Sequence, residues 1–350
     1  MKIKDLTTYL ERIAPSTYQE SYDNAGLIVG DPDAKITGVL VCLDSIEAVV
    51  EEAIAKKCNL IVAHHPIVFK GLKRLNGRNY VERTVIKAIQ NDIAIYAIHT
   101  NLDNVYAQGV NAKIAEKLGL ENTRILAPKS EMKKLFTFVP ATLSEVIRKA
   151  LFAAGAGQVM PLQDLSFSTL GVGTQDGQSG AQVKLEVVFP SGAQQIVLQT
   201  LHDQFPGAAY DVVSVENASV EVGSGMIGTL KKPIKEEDFL KLLRKNMKAE
   251  VVRHTTLLGK KVSKIAICGG AGSFLLRHAL GQKADVFVTA DYKYHEFFDA
   301  DRKIVIADIG HFESEQFTID LLYEIISKKF SNFAVYCTEV KTNPVHYFCS

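Results

Sequence analysis

Neither sign of charge dominates this sequence. Its 350 residues carry 40 Lys plus Arg against 39 Asp plus Glu, a net charge of +1. A protein that lives on nucleic acid or an anionic membrane usually carries a basic excess to neutralise phosphates, so nucleic acid is not an expected partner. No apolar run approaches the roughly 18 residues that a membrane-spanning helix needs, and no membrane is expected either. The opening stretch MKIKDLTTYLERIAP has charges through its first turns and no apolar h-region, which argues against a secretory signal. Cysteine is scarce. Cys42, Cys58, Cys268, Cys337 and Cys349 are odd in number, widely spaced and never C-x-x-C. That argues against a disulfide framework and a cysteine-based zinc site, and a reducing cytoplasm is the expected compartment.

Apolar residues make up 47 % of the chain, ample for sizeable cores. At about 150 residues per domain the length points to two domains or three. In the first third, VLVCLD (39–44), NLIVAHH (59–65) and IAIYAIHT (93–100) read as strands, and 45–57, 80–92 and 110–120 as helices. The last third repeats the pattern. KIAICGG (264–270), ADVFVTAD (284–291), KIVIADIGH (303–311) and FAVYCTEV (333–340) read as strands, 273–282 and 314–330 as helices. Continuous apolar strands alternating with amphipathic helices signal parallel strands with helical crossovers, an α/β layer architecture. The middle reads strand, helix, strand, strand, helix, strand over 135–217, which is the ferredoxin-like split βαβ order. Gln, Ser and Gly cluster at 174–182, a hairpin loop. The expected organisation is one α/β domain in two similar pieces with parallel-rich sheets, 1–125 and 231–350, around an inserted α+β domain at 126–230.

Five residues sit at the carboxyl ends of expected parallel strands, where open α/β sheets place their binding crevice. His64 and His65 end NLIVAHH; Asp103 follows IAIYAIHT; His311 follows KIVIADIG, with Glu315 four residues on. Imidazole nitrogen and carboxylate oxygen together suit zinc, iron(II) or manganese(II). Three histidines and two carboxylates exceed what one tetrahedral ion with an open position takes. They fit two bridged divalent ions. Each residue alone has a plainer reading: a strand-end histidine caps, Asp103 closes a turn, Glu315 is a first-turn acid favoured by the helix dipole. One difficulty is that adjacent strand residues point to opposite faces. His64 and His65 share a site only if the strand breaks there, and Pro66 favours that. His99 and His295 lie near the same edge and are candidate proton donors or acceptors. C-G-G-A-G-S (268–273) and D-N-A-G-L-I-V-G (23–30) are glycine-punctuated, fitting either a site wall or a tight turn.

The stretches S-Y-D-N-A-G-L-I-V-G, I-V-A-H-H-P-I-V-F, I-H-T-N-L-D-N, C-G-G-A-G-S, T-A-D-Y-K-Y-H and D-I-G-H-F-E-S-E resemble the GTP cyclohydrolase I type 2 homologue family, also called NGG-interacting-factor-like dinuclear-metal proteins. The resemblance implies that His64, His65, Asp103, His311 and Glu315 bind two metal ions. It also implies a PII/CutA-like inserted domain, with the loop after S-F-S-T-L-G-V-G-T shortened to 175–181, and a toroidal homohexamer of two stacked trimers. The expected function is a metal-dependent hydrolase acting on a small molecule, GTP cyclohydrolase-like by resemblance. The alternative is a non-catalytic metal-binding or regulatory oligomer.

Overall fold

The computed structural model describes residues 1–129, 132–159, 162–175, 178–216 and 221–348. Cys349 and the centre of the hairpin loop, Asp176 and Gly177, lie outside them. The chain divides into two units, Met1–Ala127 with Glu221–Ser350, and Pro128–Val220. Among the described residues no helix is long and apolar enough to cross a membrane.

The discontinuous unit is a mixed α/β fold built on two sheets. The first contains β1 (Gly26–Val29), β2 (Gly38–Cys42), β3 (Leu60–Ala63) and β4 (Ala94–Ala97) in the order β1-β4-β3-β2, with β2, β3 and β4 parallel and β1 antiparallel at the edge. The second contains β5 (Leu120–Pro128), β10 (Gly223–Lys235), β11 (Arg253–His254), β12 (Lys261–Ala271), β13 (Val286–Ala290) and β14 (Val305–Asp308). Its order is β11-β14-β13-β12-β10-β5, and β12, β13 and β14 run parallel. β15 (Ala334–Cys337) pairs in parallel with β2 in the first sheet. Each sequence piece therefore lends one strand to the other's sheet. The second boundary falls before the expected 230, because β10 pairs with β12 and cannot leave with the insert.

The apolar strands are continuous because both faces of each sheet are covered. Val39, Val41, Leu60, Val62, Ile265, Ile267, Val286 and Val288 join one core with the helices Ile3–Ile13 and Thr318–Lys329. Leu40, Cys42, Ile61 and Ala63, one residue out of phase, pack on the opposite face against Val49, Val50 and Val85. Ala266, Cys268, Phe287 and Ile306 do the same on the second sheet. Cys42, Cys58, Cys268 and Cys337 are free thiols.

Two expected elements are corrected. The strand 93–100 stops at Ala97, and Thr100–Asp103 is a helical turn. The helix 314–330 is two helices, His311–Glu315 and Thr318–Lys329.

The inserted unit has β6 (Met132–Pro140), β7 (Ser166–Gln175), β8 (Gln178–Pro190) and β9 (Ala209–Val215), all antiparallel, in the order β7-β8-β6-β9. The helices Ser144–Ala153 and Gln194–Gln204 complete the split βαβ pattern around a core of Leu135, Ile147, Leu151, Leu185, Phe189 and Leu201.

Candidate metal centre

Strand ends build the site. Past Ala63 the chain leaves regular strand geometry, although the His64 and His65 amides still donate to the Cys42 and Leu43 carbonyls at 3.1 and 2.9 Å. That break lets two adjacent side chains turn to one place. Asp103 comes from the helical turn after β4. His311 and Glu315 come from the helix after β14, one turn apart. Gly310 starts this helix at φ +90°, and a Cβ there would meet Glu313 Oε2 at 2.3 Å.

Each histidine is anchored through Nδ1. His64 donates to the Ile98 carbonyl at 2.9 Å, His65 to Asp44 at 2.7 Å, His99 to Asp23 at 2.7 Å and His311 to Asp291 at 2.6 Å. A carbonyl and ionised carboxylates only accept, so these contacts place the hydrogen on Nδ1 and leave Nε2 as the inner nitrogen. Burial would raise Asp23, but His99 and Thr100 hold it at about 2. Burial would also raise Asp44 and Asp291, yet hydrogen bonds from His65 and His311 bring both below the usual range.

The inner atoms converge. Glu315 Oε2 lies 3.0 Å from Nε2 of His65 and 3.0 Å from Nε2 of His311, and the two nitrogens are 3.3 Å apart. Beside them, His64 Nε2 stands 3.5 Å from Asp103 Oδ1 and 3.9 Å from Glu315 Oε2. His64 Nε2, Asp103 Oδ1 and Glu315 Oε2 are buried without a hydrogen-bond partner; the 3.0 Å contacts of Glu315 lie outside hydrogen-bond geometry. Buried acceptors are rarely left orphaned. Nitrogen and oxygen ligands about 2.0–2.1 Å from a tetrahedral ion stand about 3.3 Å apart. The spacing of the His65–His311–Glu315 triad therefore fits one cation. His64, Asp103 and Glu315 form a second triad, so Glu315 belongs to both.

The electrostatics agree. Burial holds His64 down, to about 3. Burial also opposes charge on His65, but Asp44 and Glu315 lift it to about 9. His311 reaches about 11, with the Glu315 charge and the Asp291 hydrogen bond overcoming burial. Glu315 falls well below its usual value despite burial, chiefly through the charge of His311. Asp103 rises well above its own through burial and the Glu315 charge. Without a metal, this cluster of acceptors recruits protons into the positions a cation would take.

The site opens into a cavity of about 740 Å³, lined by His65, His99, Asp103, His311 and Glu315, with Phe69 and Phe274 among its aromatic walls. His99 sits with its ring 5.4 Å from that of His64 and 5.2 Å from that of His65, and can itself join a metal-binding group with them. His295 is elsewhere. It is exposed on a 3-10 turn, in ring contact with Tyr294 and Phe298, outside the cavity wall. His202 and His254 are exposed as well. The glycine stretch at 268–273 is a close approach: Gly270 has φ +62°, and a Cβ there would stand 2.5 Å from Glu315 Oε1. The stretch at 23–30 is a turn into the edge strand β1 and does not line the cavity; its Asp23 supports His99 from behind the wall. Asp23, Asp44 and Asp291 were not singled out from the sequence as anchors. Their one visible signal is that Asp44 and Asp291 directly follow the parallel strands VLVCL and DVFVTA.

Known proteins show the same architecture. The sequence matches Duf34/NIF3 (NGG1p interacting factor 3) over residues 1–344. A relative from Bacillus subtilis (strain 168), named GTP cyclohydrolase 1 type 2 homolog, is 34% identical over 357 residues, covering 95% of each chain. A relative of the same name from Staphylococcus epidermidis is 33% identical, covering 99% of this chain and 100% of that one. The crystal structure of a Bacillus cereus protein related to NIF3 superposes with TM-score 0.82 at 34% identity, covering 99% of both chains. With its fold and nearly its whole length matched, the chain belongs to the Duf34/NIF3 family.

Proposed function

We propose that the chain is a metal-dependent hydrolase of a small molecule, with two divalent ions, zinc or iron(II) first and manganese(II) next, held by His64, His65, Asp103, His311 and Glu315. The observation that carries this reading is that three buried, orphaned acceptors, His64 Nε2, Asp103 Oδ1 and Glu315 Oε2, make up one triad, and Glu315 also belongs to the other. When bound, such a pair of ions lowers the pKa of a captured water and polarises the bond under attack. The chain's own residues do the rest. Asp44, Asp291 and the Ile98 carbonyl hold three imidazoles in the tautomer that presents Nε2. His99, steadied by Asp23 at the cavity wall, is placed to pass a proton to a leaving group through its inner nitrogen. The relatives' name makes hydrolytic opening of the guanine imidazole ring the first reaction to try.

We also propose a homo-oligomer, a hexamer of two stacked trimers, with the inserted unit as a PII/CutA-like assembly module. The outer strand β7 exposes Phe167, Leu170 and Val172 at 66, 70 and 79 %, and an apolar edge of this kind needs covering.

The test is a screen of metal-loaded protein against GTP and generic phosphoesters, repeated with Glu315→Ala and with chelator. Turnover lost in both controls supports the hydrolase. Bound metal with no turnover on any substrate would favour the metal-binding regulatory oligomer, and protein that takes up no metal would overturn both.

A further inference from the structure

We propose that residues 341–348 form a strap that positions the metal centre, with Thr342 and Asn343 as its positioning residues; this inference rests on the metal-centre reading above. The segment has no regular secondary structure, yet Thr342 and Asn343 are only 8 and 7 % exposed. Burial of such polar side chains demands partners, and both partners belong to the site. The Thr342 hydroxyl donates to Asp44 Oδ2 at 2.6 Å, while Asp44 Oδ1 accepts from His65 Nδ1 at 2.7 Å. The Asn343 amide donates to Glu313 Oε1 at 3.0 Å, on the short helix that carries His311 and Glu315. Asn343 is itself fixed, because its Oδ1 accepts from the Val345 amide at 3.0 Å.

Topology explains why the strap lands there. β15 runs parallel to β2, so both leave the sheet at the same end, and Asp44 stands just past the end of β2. The Thr338 amide continues the pairing to the Val41 carbonyl at 2.9 Å. The chain then crosses from the first sheet's ligand group at Asp44 to the second sheet's at Glu313. Two adjacent side chains thus tie together the halves whose ligands must share one cation. Beyond them Pro344, Val345 and Tyr347 form part of the cavity wall. A carboxylate that anchors a ligand histidine typically matters 10–100-fold to metal affinity, and Thr342 is what fixes the second oxygen of that carboxylate.

The experiment titrates zinc into full-length, chelator-stripped protein by calorimetry and records the melting temperature of each metal-free form. Thr342→Val keeps the side-chain shape and removes the donor, and Thr342→Ser restores it. Asn343→Leu cuts the other tie. The strap predicts that Thr342→Val and Asn343→Leu each bind zinc about tenfold more weakly, that Thr342→Ser binds as wild type does, and that every metal-free form still melts cooperatively above the temperature of the titration. Wild-type affinity in both Thr342→Val and Asn343→Leu would overturn it. So would a loss in Thr342→Ser as large as in Thr342→Val, which would mean packing rather than hydrogen bonding. Wild-type protein that takes up no zinc would overturn the metal centre, and the strap with it.

Discussion

An imidazole ring can offer either nitrogen, and the partner of one decides what the other can do. In this site the partner is a carbonyl or a carboxylate for all four histidines, so four Nε2 atoms are available inward. Asp44→Asn and Asp291→Asn replace a pure acceptor by an amide that can donate. Each should weaken zinc binding about 10–100-fold by calorimetry while leaving far-UV circular dichroism unchanged. Protons should compete with any cation bound here. His65 and His311 titrate at about 9 and about 11, above the ordinary histidine value. Their protonation therefore stabilises the metal-free fold fully below that ordinary value, and the stabilisation is lost as pH rises through those two values. Bound ions displace these protons, so the rise in melting temperature on adding zinc should be larger near about pH 8.5 than near about pH 6. A smaller rise at the higher pH would contradict this. That His64, His65, Asp103, His311 and Glu315 would meet was legible in the sequence, because histidine and acid at the ends of apolar strands share a crevice. The anchors were not, because an aspartate after a strand looks the same whether it closes a turn or holds a ring 21 or 20 residues away, as Asp44 and Asp291 do. His295 misled for the reverse reason: closeness in sequence to Asp291 did not carry its side chain to the cavity.

At the scale of elements, the site depends on two exchanged strands and one tight turn. Apolar runs without alternation revealed parallel strands buried on both faces, and the structure has them. The exchange of β5 and β15 was invisible, since strand pairing is non-local and neither run carries a mark of its partner. The break after Glu315 was equally hidden inside one amphipathic stretch. Gly270 gives the turn a direct test. With φ at +62° and Glu315 Oε1 2.5 Å from where a Cβ would stand, Gly270→Ala strains the backbone and displaces the shared carboxylate. It should cost about 1 kcal/mol or more in unfolding free energy, measured by urea denaturation, and lower metal content as well. Full stability with full metal content would show that the carboxylate has room to move.

For the whole molecule, the insert and the metal centre are separate concerns. β5 and β10 are neighbours in one sheet, so the points where the insert leaves and returns lie close together. Replacing residues 129–220 with a short Gly/Ser linker should leave a folded, metal-binding chain, whereas a cut inside β10 should not. If β7 is an assembly edge, light scattering should show a trimer-based oligomer for the full chain and a smaller species after excision. An unchanged mass would remove the insert from assembly. The central claim is that remote pieces of sequence meet to hold two ions through one shared glutamate. Elemental analysis of the wild-type chain and of Glu315→Ala, each saturated with zinc and dialysed, tests it most directly. About two ions per chain in the wild type and a clear loss in the variant is the predicted result, and equal metal content in the two proteins would contradict it.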